Sequence, residues 1–467
     1  MPTLPSPMPP NIALFVLDCV RYDGLGCYGA PRPVTPHLDA LAAGARRYTQ
    51  ARSAAVWTLE SHASLFTGLH PRQHGVNVAQ RRLDPALPTL AQTLAGLGYQ
   101  TAGFSTNAWV GPHFGLDRGF QHFASLWRLF PGMGAAPFPW WEKALRKRVL
   151  ERGDKGAAKL NRHVARWLRR DRDPARPFFL FALYLDAHLP YKPPPAHARA
   201  LLDPAALRRA RAANQDAWAF MAGEKQMAAA DFAGLRGLYD AEIRYVDAQF
   251  GALLAAMQAA GALDHTLIIV TADHGENIGD HGLMDHQYCV YDSLAHVPLL
   301  LHYPPAFPPG EDAAPVQHTD LFPTLLDLAA APAAARPRLP GRSLLTPPSA
   351  RLTQPSIIQY TAPHRHRFAR RHPHFDPARR GFDRTFDAIV QAGHKLIRPS
   401  YGPPELYDLA ADPGETADLA AARPDLVARL GAALDDWLAA HPPAAPAAAA
   451  GSLDPGLAEH LRGLGYL

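Results

Sequence analysis

The sequence predicts an α/β fold, a mostly parallel sheet between helices with a small carboxyl-terminal α+β unit. Three observations predict it: continuous apolar runs that end in an acid or a histidine, helical segments alternating with those runs, and a change to short strands and turns after about residue 350. At 467 residues the chain has room for one large domain and a smaller appendage. Hydrophobic residues make up 48% and charged residues 19%, enough apolar side chains for a sizeable core.

The first run, IALFVLD (12–18), reads as a buried parallel strand that delivers Asp18 at its carboxyl end. TPHLDALAAGARRYTQ (35–50) reads as a helix beginning at Thr35 or Pro36. LPTLAQTLAGLGY and QTAGFSTN (87–107) form a helix-then-strand unit with Asn107 past the strand. PFFLFALYLDAH (177–188) is a central strand that leads to Asp186 and His188. A helix over 238–261, apolar on the face of Ile243, Val246, Phe250 and Met257, leads into TLIIVTADHG (266–275), which presents Asp273 and His274. Parallel sheets bind ligands outside the carboxyl ends of their strands. Asp18, Asp186, His188, Asp273 and His274 all fall there.

SIIQY (356–360), FDAIVQAGHKLIRPS (386–400) and ELYDLAADPGE (405–415) read as a small antiparallel sheet, followed by a helix near 425–440, a low-complexity stretch at 444–451 and a terminal helix. The expected organisation is a catalytic domain over 1–350 and a small domain over 351–467. Two basic segments, 140–153 and 155–170, read as helices of a solvated insertion, with a membrane-surface or partner role as the alternative. HRHRFARRHPH (364–374) is rich in histidine, but its irregular spacing favours a rim loop over a zinc tract.

A net charge of +5 suits a small anionic substrate and is too mild to indicate nucleic acid. Three cysteines do not make a disulfide framework. The opening MPTLPSPMPP has neither a basic nor an apolar signal region, and no apolar stretch reaches the roughly 18 residues of a membrane span. The expectation is a soluble, cytoplasmic protein without an integral membrane segment. Its oligomeric state is left open, a homo-oligomer included.

Asp18, Asp273 and His274 offer two carboxylates and an imidazole, a set able to hold one divalent cation: Ca, Mn, Mg or Zn. Between them in the chain lies AAVWTLESHASLFTGLHPRQHGV (54–76), which resembles the sulfatase active-site signature, where Cys-x-Pro-x-Arg opens a helix running into Leu-Thr-Gly. Anchoring on Thr67 and Gly68 puts Thr58 in the Cys position, Glu60 in the Pro position and His62 in the Arg position. VLDCVRYDGLGCYG (16–29) is similar to the family's opening block, with Cys19 in place of its second acid. TADHGENIGDHGLMDHQYCVYDSLAHVPLLL (271–301) is similar to its later metal-binding block, with His286 in the place of a basic substrate residue. YLDAHLPYKPP (184–194) resembles the segment whose histidine, here His188, contacts the transferred group. The carboxyl-terminal stretches 395–419 and 461–467 also fit the family's pattern.

The resemblance implies an alkaline-phosphatase-like fold and a metal-dependent ester hydrolase with Asp18, Asp273, His274 and Thr58 around the ion. It also implies roles for His188 and His286 on developing charge or the leaving oxygen. Threonine cannot yield the formylglycine aldehyde, so no formylglycine is expected, and Thr58 would act as a plain alcohol that forms an ester intermediate. That favours phosphate mono- or diesters or phosphonates over sulfate esters. The alternatives are a sulfatase, a phospho-group transferase and an inactive anion-binding protein. His62 would hold Thr58 or bind a substrate oxygen, and Asn107 would reach substrate or serve a turn. Read singly, Thr58 is also a helix cap, each histidine a structural one, and Cys19 either a ligand or a packed side chain. A second metal site built from Asp186 and His188 with His281 or His286 is the remaining variant.

Overall fold

The computed structural model describes residues 8–127, 153–364, 368, 371–445 and 453–463. In chain order the strands up to residue 317 are β1 (Asn11–Leu17), β2 (Arg46–Tyr48), β3 (Ala51–Arg52), β4 (Gln100–Ser105), β5 (His122–Ser125), β6 (Phe178–Tyr184), β7 (Thr266–Thr271), β8 (Asn277–Ile278), β9 (Met284–Asp285), β10 (Leu299–His302), β11 (Gly310–Asp312) and β12 (Val316–Gln317). Eight of them form one sheet in the order β11-β2-β10-β7-β1-β6-β4-β5. β1 pairs in parallel with β6 and β7, β4 with β6 and β5, and β11 with β2, whereas β10 runs antiparallel to both of its neighbours. The mostly parallel α/β architecture expected from the sequence is therefore present. β6 and β7 are buried along their whole length, because helices cover both faces of the sheet and no polar side of the strand is left for solvent.

Helix α1 (Pro36–Ala43) is shorter than the sequence pattern suggests. It stops at Gly44, and Arg46–Tyr48 becomes β2, where pairing with β10 and β11 and burial of Tyr48 override the helical tendency of that segment. The helix Ala157–Arg170 also departs from expectation. It buries Leu160, Val164, Trp167 and Leu168 against β4, β6 and the 31-residue helix Ala229–Ala259, so it is a covering layer of the sheet and not a solvated insertion. The first basic segment lies outside the described residues, apart from Gly153. No helix among the described residues is long and apolar enough to cross a membrane.

β13 (Ser356–Tyr360), β14 (Phe386–Gln391), β15 (His394–Pro399) and β16 (Glu405–Asp408) form the small antiparallel sheet. The helix Pro424–Ala440 lays Leu426, Leu430 and Leu434 on Ile357, Ile389, Leu396 and Leu406, a separate apolar cluster. Two joints tie this sheet to the β3 and β12 region, where those strands form a separate two-stranded sheet. Gln317 exchanges side-chain hydrogen bonds with the backbone of Ile357 (2.8 and 2.9 Å), and the Gln359 N–H donates to Ala54 O (2.9 Å). Beside them, Asp292 accepts from Arg52 Nη2 at 2.7 Å and from Lys395 Nζ at 2.8 Å, and Lys395 also reaches Glu415 (2.9 Å).

Burial opposes the charge of Asp292, but Arg52 and Lys395 outweigh it and hold this carboxyl well below its ordinary 3.8. A carboxyl depressed in the folded state contributes stability that is fully present above its unfolded pKa and is lost as pH falls through the folded value. Denaturant unfolding of wild type and Asp292→Asn is therefore expected to show a constant gap from neutral pH down to about pH 5, closing below 3.8. A gap that grows with acidification would contradict this.

Candidate active site

Asp18, Asn107, Asp186, His188, Asp273 and His274 all follow the carboxyl ends of β1, β4, β6 and β7, as parallel pairing requires. β1 lies between β6 and β7, so Asp18 and Asp273 meet over the middle of the sheet. The thiol of Cys19 donates to Asp18 Oδ1 (3.1 Å), and its N–H donates to Asp273 Oδ1 (3.2 Å). Cys19 is held at φ 61°, a left-handed conformation rare for a residue with a Cβ. Asp18, Asp273 and His274 each bring a ligand atom within 4.8 Å of the others, as do Cys19, His274 and His286.

Helix α2 (Thr58–Thr67) arrives from the side, its whole length buried. Its cap residue is Trp57, which makes no side-chain capping bond, so Thr58 is the first helical residue and not the cap. Its hydroxyl Oγ1 lies instead 3.2 Å from His274 Nε2. The ring orientation of His274 follows from its other nitrogen, which donates to Gly275 O at 2.9 Å and leaves the Nε2 lone pair facing Thr58 and the acids. Burial, followed by the neighbouring His286, lowers the His274 pKa to about 3 and keeps the ring neutral. Ser61 anchors the helix by donating to Asp273 O (2.8 Å).

The structure separates the remaining sequence-predicted residues. His62 lies under α2, donating from Nδ1 to Thr58 O (2.8 Å), with its ring against Phe66 and Phe181. Through Nδ1 it holds the Thr58 peptide. Burial brings its pKa down to about 3. Asn107, expected to reach substrate or serve a turn, does the latter: its oxygen accepts from the Trp109 N–H two residues on (2.9 Å), and its amide nitrogen donates to Asp18 Oδ2. It positions Asp18.

His188 and His286 face each other with ring centroids 5.0 Å apart, and His286 stacks on His274 at 4.4 Å. Their environments differ. Burial opposes charge on His286, but Asp285 Oδ1 at 2.7 Å and Glu276 Oε1 at 3.4 Å outweigh it and raise its pKa well above the usual value. Burial and the adjacent His286 push His188 well below its usual value. The two imidazoles are thus pushed in opposite directions, the pairing that separates proton donor from acceptor.

Asp186 and His281 do not join this group. Asp186 accepts from the Lys155 N–H (2.8 Å), His281 stacks on Tyr291 at 3.6 Å, and neither belongs to a metal-compatible group among the described residues. His364 packs edge-on against Trp57 (4.6 Å) and His372 pairs with Glu224 (2.8 Å). Neither belongs to a metal-compatible group among the described residues.

Sequence reasoning missed Ser61, Lys155, Glu276 and Asp285 as site residues. Glu276 and Asp285 carried a usable signal, since both stand in the block that supplies Asp273 and His286. Lys155, whose Nζ donates to the carbonyls of Asp186 (2.9 Å) and His188 and to Glu242 Oε2 (2.7 Å), lies in a segment with no such signal.

This geometry is that of a hydrolase site on an alkaline-phosphatase-like sheet, and sequence comparison gives the family. Residues 10–331 match the family model described as Sulfatase, and residues 279–438 that described as N-sulphoglucosamine sulphohydrolase, C-terminal. The chain belongs to the sulfatase family, whose members are ester hydrolases. Steryl-sulfatase of Mus musculus is 28% identical over 504 residues, covering 90% of this chain and 80% of that protein. Arylsulfatase A of Homo sapiens is 27% identical over 477 residues, covering 88% and 83%. In fold, the chain is similar to the phosphonate monoester hydrolase of Agrobacterium radiobacter, with a TM-score of 0.71 at 24% identity over 93% of this chain and 96% of that one.

Proposed function

We propose that this sulfatase-family hydrolase cleaves a phosphorus ester, a phosphate mono- or diester or a phosphonate, through an ester formed on Thr58. The observation that carries the reading is the Thr58 hydroxyl, 3.2 Å from His274 Nε2, at the amino end of a buried helix and beside two carboxylates.

The residues fit a divalent cation. Asp273 Oδ2 is buried with no hydrogen-bond partner. Burial raises Asp273 to about 7, and burial together with Asp273 raises Asp18 to about 7, so the two acids need a positive charge to stay ionised together. Asp18, Asp273 and His274, with Thr58, would hold the ion, which supplies Lewis acidity for a threonine alkoxide and for one substrate oxygen. The N–H groups of the first turn of α2 favour the same negative charge. Thr58 gives up its proton to solvent as Oγ attacks phosphorus, the bond to the leaving oxygen breaks, and His286 gives its proton to that oxygen. Water then attacks the Thr58 ester, neutral His188 accepts its proton, the bond from phosphorus to Thr58 Oγ breaks, and the cycle closes as His188 releases its proton and solvent returns protons to Thr58 and His286. Residues 1–350 would be the catalytic domain. Residues 351–467 would close one side, a role consistent with the Thr361 hydroxyl donating to Glu60 Oε1 on α2 (3.0 Å).

Sulfate ester hydrolysis is the second reading, favoured by the sulfatase names of the mouse and human relatives. An aryl ester screen separates the two. Phosphate mono- and diesters, phosphonates and sulfates are offered with Mn, Mg, Ca or Zn. At least one phosphorus ester is expected to outrun the sulfate under the best metal. A sulfate faster than every phosphorus ester would overturn the preference.

A further inference from the structure

The loop that carries His188 is held by a side chain from a different part of the chain. Beyond β6 the backbone passes through Asp186 and His188, and Lys155 reaches it from the short segment ahead of the helix Ala157–Arg170. Lys155 Nζ donates to Asp186 O (2.9 Å), to His188 O and to Glu242 Oε2 (2.7 Å). An ammonium has three protons to donate, and these three oxygens take them. The side chain of Lys155 is 10% exposed and that of Glu242 0%. Lys155 therefore has no proton left for a substrate anion, and its charge is spent on the backbone of the loop.

The surroundings fix the same geometry. The Lys155 N–H donates to Asp186 Oδ1 (2.8 Å), so residue 155 is pinned by main chain and side chain together. Glu242, on the helix Ala229–Ala259, accepts the Lys192 N–H with its other oxygen. Gln215 brackets Tyr191, accepting from its N–H (2.6 Å) and donating to its carbonyl (3.3 Å). Gly153 lets the segment lie directly on the loop: at φ 81° a Cβ there would stand 2.4 Å from Lys192 O. In the loop so held, His188 Nδ1 donates to Leu189 O, which puts the lone pair of the neutral ring on Nε2, and the ring faces His286 at 5.0 Å.

We propose that Lys155, through the carbonyls of Asp186 and His188, is a positioning residue for His188 in the hydrolysis of the Thr58 ester, with Glu242 as its counter-ion. This rests on the reading above, in which His188 takes the proton of the attacking water. In that step the water oxygen bonds to phosphorus, its proton passes to His188 Nε2, and the bond from phosphorus to Thr58 Oγ breaks, the electron pair staying on Oγ until solvent returns a proton. Formation of the ester does not use His188. Displacing its ring therefore slows the second half of the cycle and spares the first. A shift of about 1 Å in such a group costs on the order of 10²-fold in rate.

Pre-steady-state kinetics of the whole, metal-loaded chain test this with the fastest para-nitrophenyl phosphorus ester. Nitrophenol release is followed directly, and the fraction of Thr58 carrying the adduct is read by acid quench and mass spectrometry. In Lys155→Met the first turnover is expected to keep the wild-type rate, as a burst of about one nitrophenol per protein. Turnover after the burst is expected to fall on the order of 10²-fold while the Thr58 adduct accumulates. The same substitution made in His188→Ala is expected to slow turnover by no more than about 2-fold further, because the group it positions is already gone. Lys155→Met leaves the Glu242 carboxylate buried and alone; Lys155→Met with Glu242→Gln removes that charge and carries the same expectations. Equal slowing of burst and turnover, an effect that multiplies with that of His188→Ala, or loss of the native thermal transition in both Lys155 variants overturns the positioning role and leaves the Thr58 ester standing. Absence of the Thr58 adduct from wild type and every variant overturns the ester reading and this inference together.

Discussion

Thr58→Ala is expected to lower kcat by at least about 10³-fold on whichever ester wild type turns over, while leaving metal content unchanged to within a few per cent of one equivalent. The magnitude follows from the role: without the hydroxyl no ester can form, and residual turnover must come from water attacking in the same electrostatic field. Metal content holds because Asp18, Asp273 and His274 remain. The fold holds too, since Thr58 does not cap α2 and its backbone carbonyl keeps the bond from His62 (2.8 Å). Loss of one buried hydroxyl contact costs about 1 kcal/mol. Thr58→Ser keeps the nucleophile without its methyl group and is expected to recover most of the rate. Paired kinetics and elemental analysis of the three proteins check this. Wild-type turnover in Thr58→Ala would remove the nucleophile from the account.

Asp292→Ala carries the largest expected effect on stability, a loss of about 3–5 kcal/mol, because it strands the buried Arg52 guanidinium beside Lys395, which keeps Glu415. Arg52 and Lys395 are 2% and 0% exposed at their side chains, so solvent cannot compensate them. Arg52 lies on β3 beside the large sheet and Lys395 on β15 of the small one, so the loss falls on the joint between the two sheets. Denaturant unfolding followed by tryptophan fluorescence is expected to show a lower midpoint, with the small sheet released first. The double variant Asp292→Ala with Arg52→Met is expected to recover part of the loss, because it removes the stranded charge and leaves the Lys395–Glu415 pair in place. An effect under about 1 kcal/mol would place this network among ordinary surface ion pairs.

Most of the fold was legible because parallel strands buried on both faces must be continuously apolar, and IALFVLD, PFFLFALYLDAH and TLIIVTADHG are. β2 was not legible, since RRY has no strand pattern of its own and is recruited by the edges of β10 and β11. The helix Ala157–Arg170 was misplaced for a related reason: its arginines dominate the composition, yet Leu160, Val164, Trp167 and Leu168 at helical spacing were the informative residues. At the site, strand ends and the family motif indicated Asp18, Thr58, Asp273, His274, His188 and His286, and the structure brings these six together. Motif position alone could not say which way a polar side chain faces. His62 stands at a motif position and Asn107 at a strand end, and they hold the Thr58 peptide and Asp18. Asp285, one of the two carboxylates beside His286, adopts φ 72°, a local geometry no spacing rule reveals.

The most direct test of the central claim is a search for the ester itself. Metal-loaded protein is mixed with the fastest phosphorus ester, quenched in acid during turnover, digested and analysed by mass spectrometry. The account predicts that the substrate's phosphoryl or phosphonyl group is found on Thr58, and that the adduct is absent from Thr58→Ala. An adduct on another side chain, or steady turnover in which Thr58 is never modified at any quench time, would contradict it.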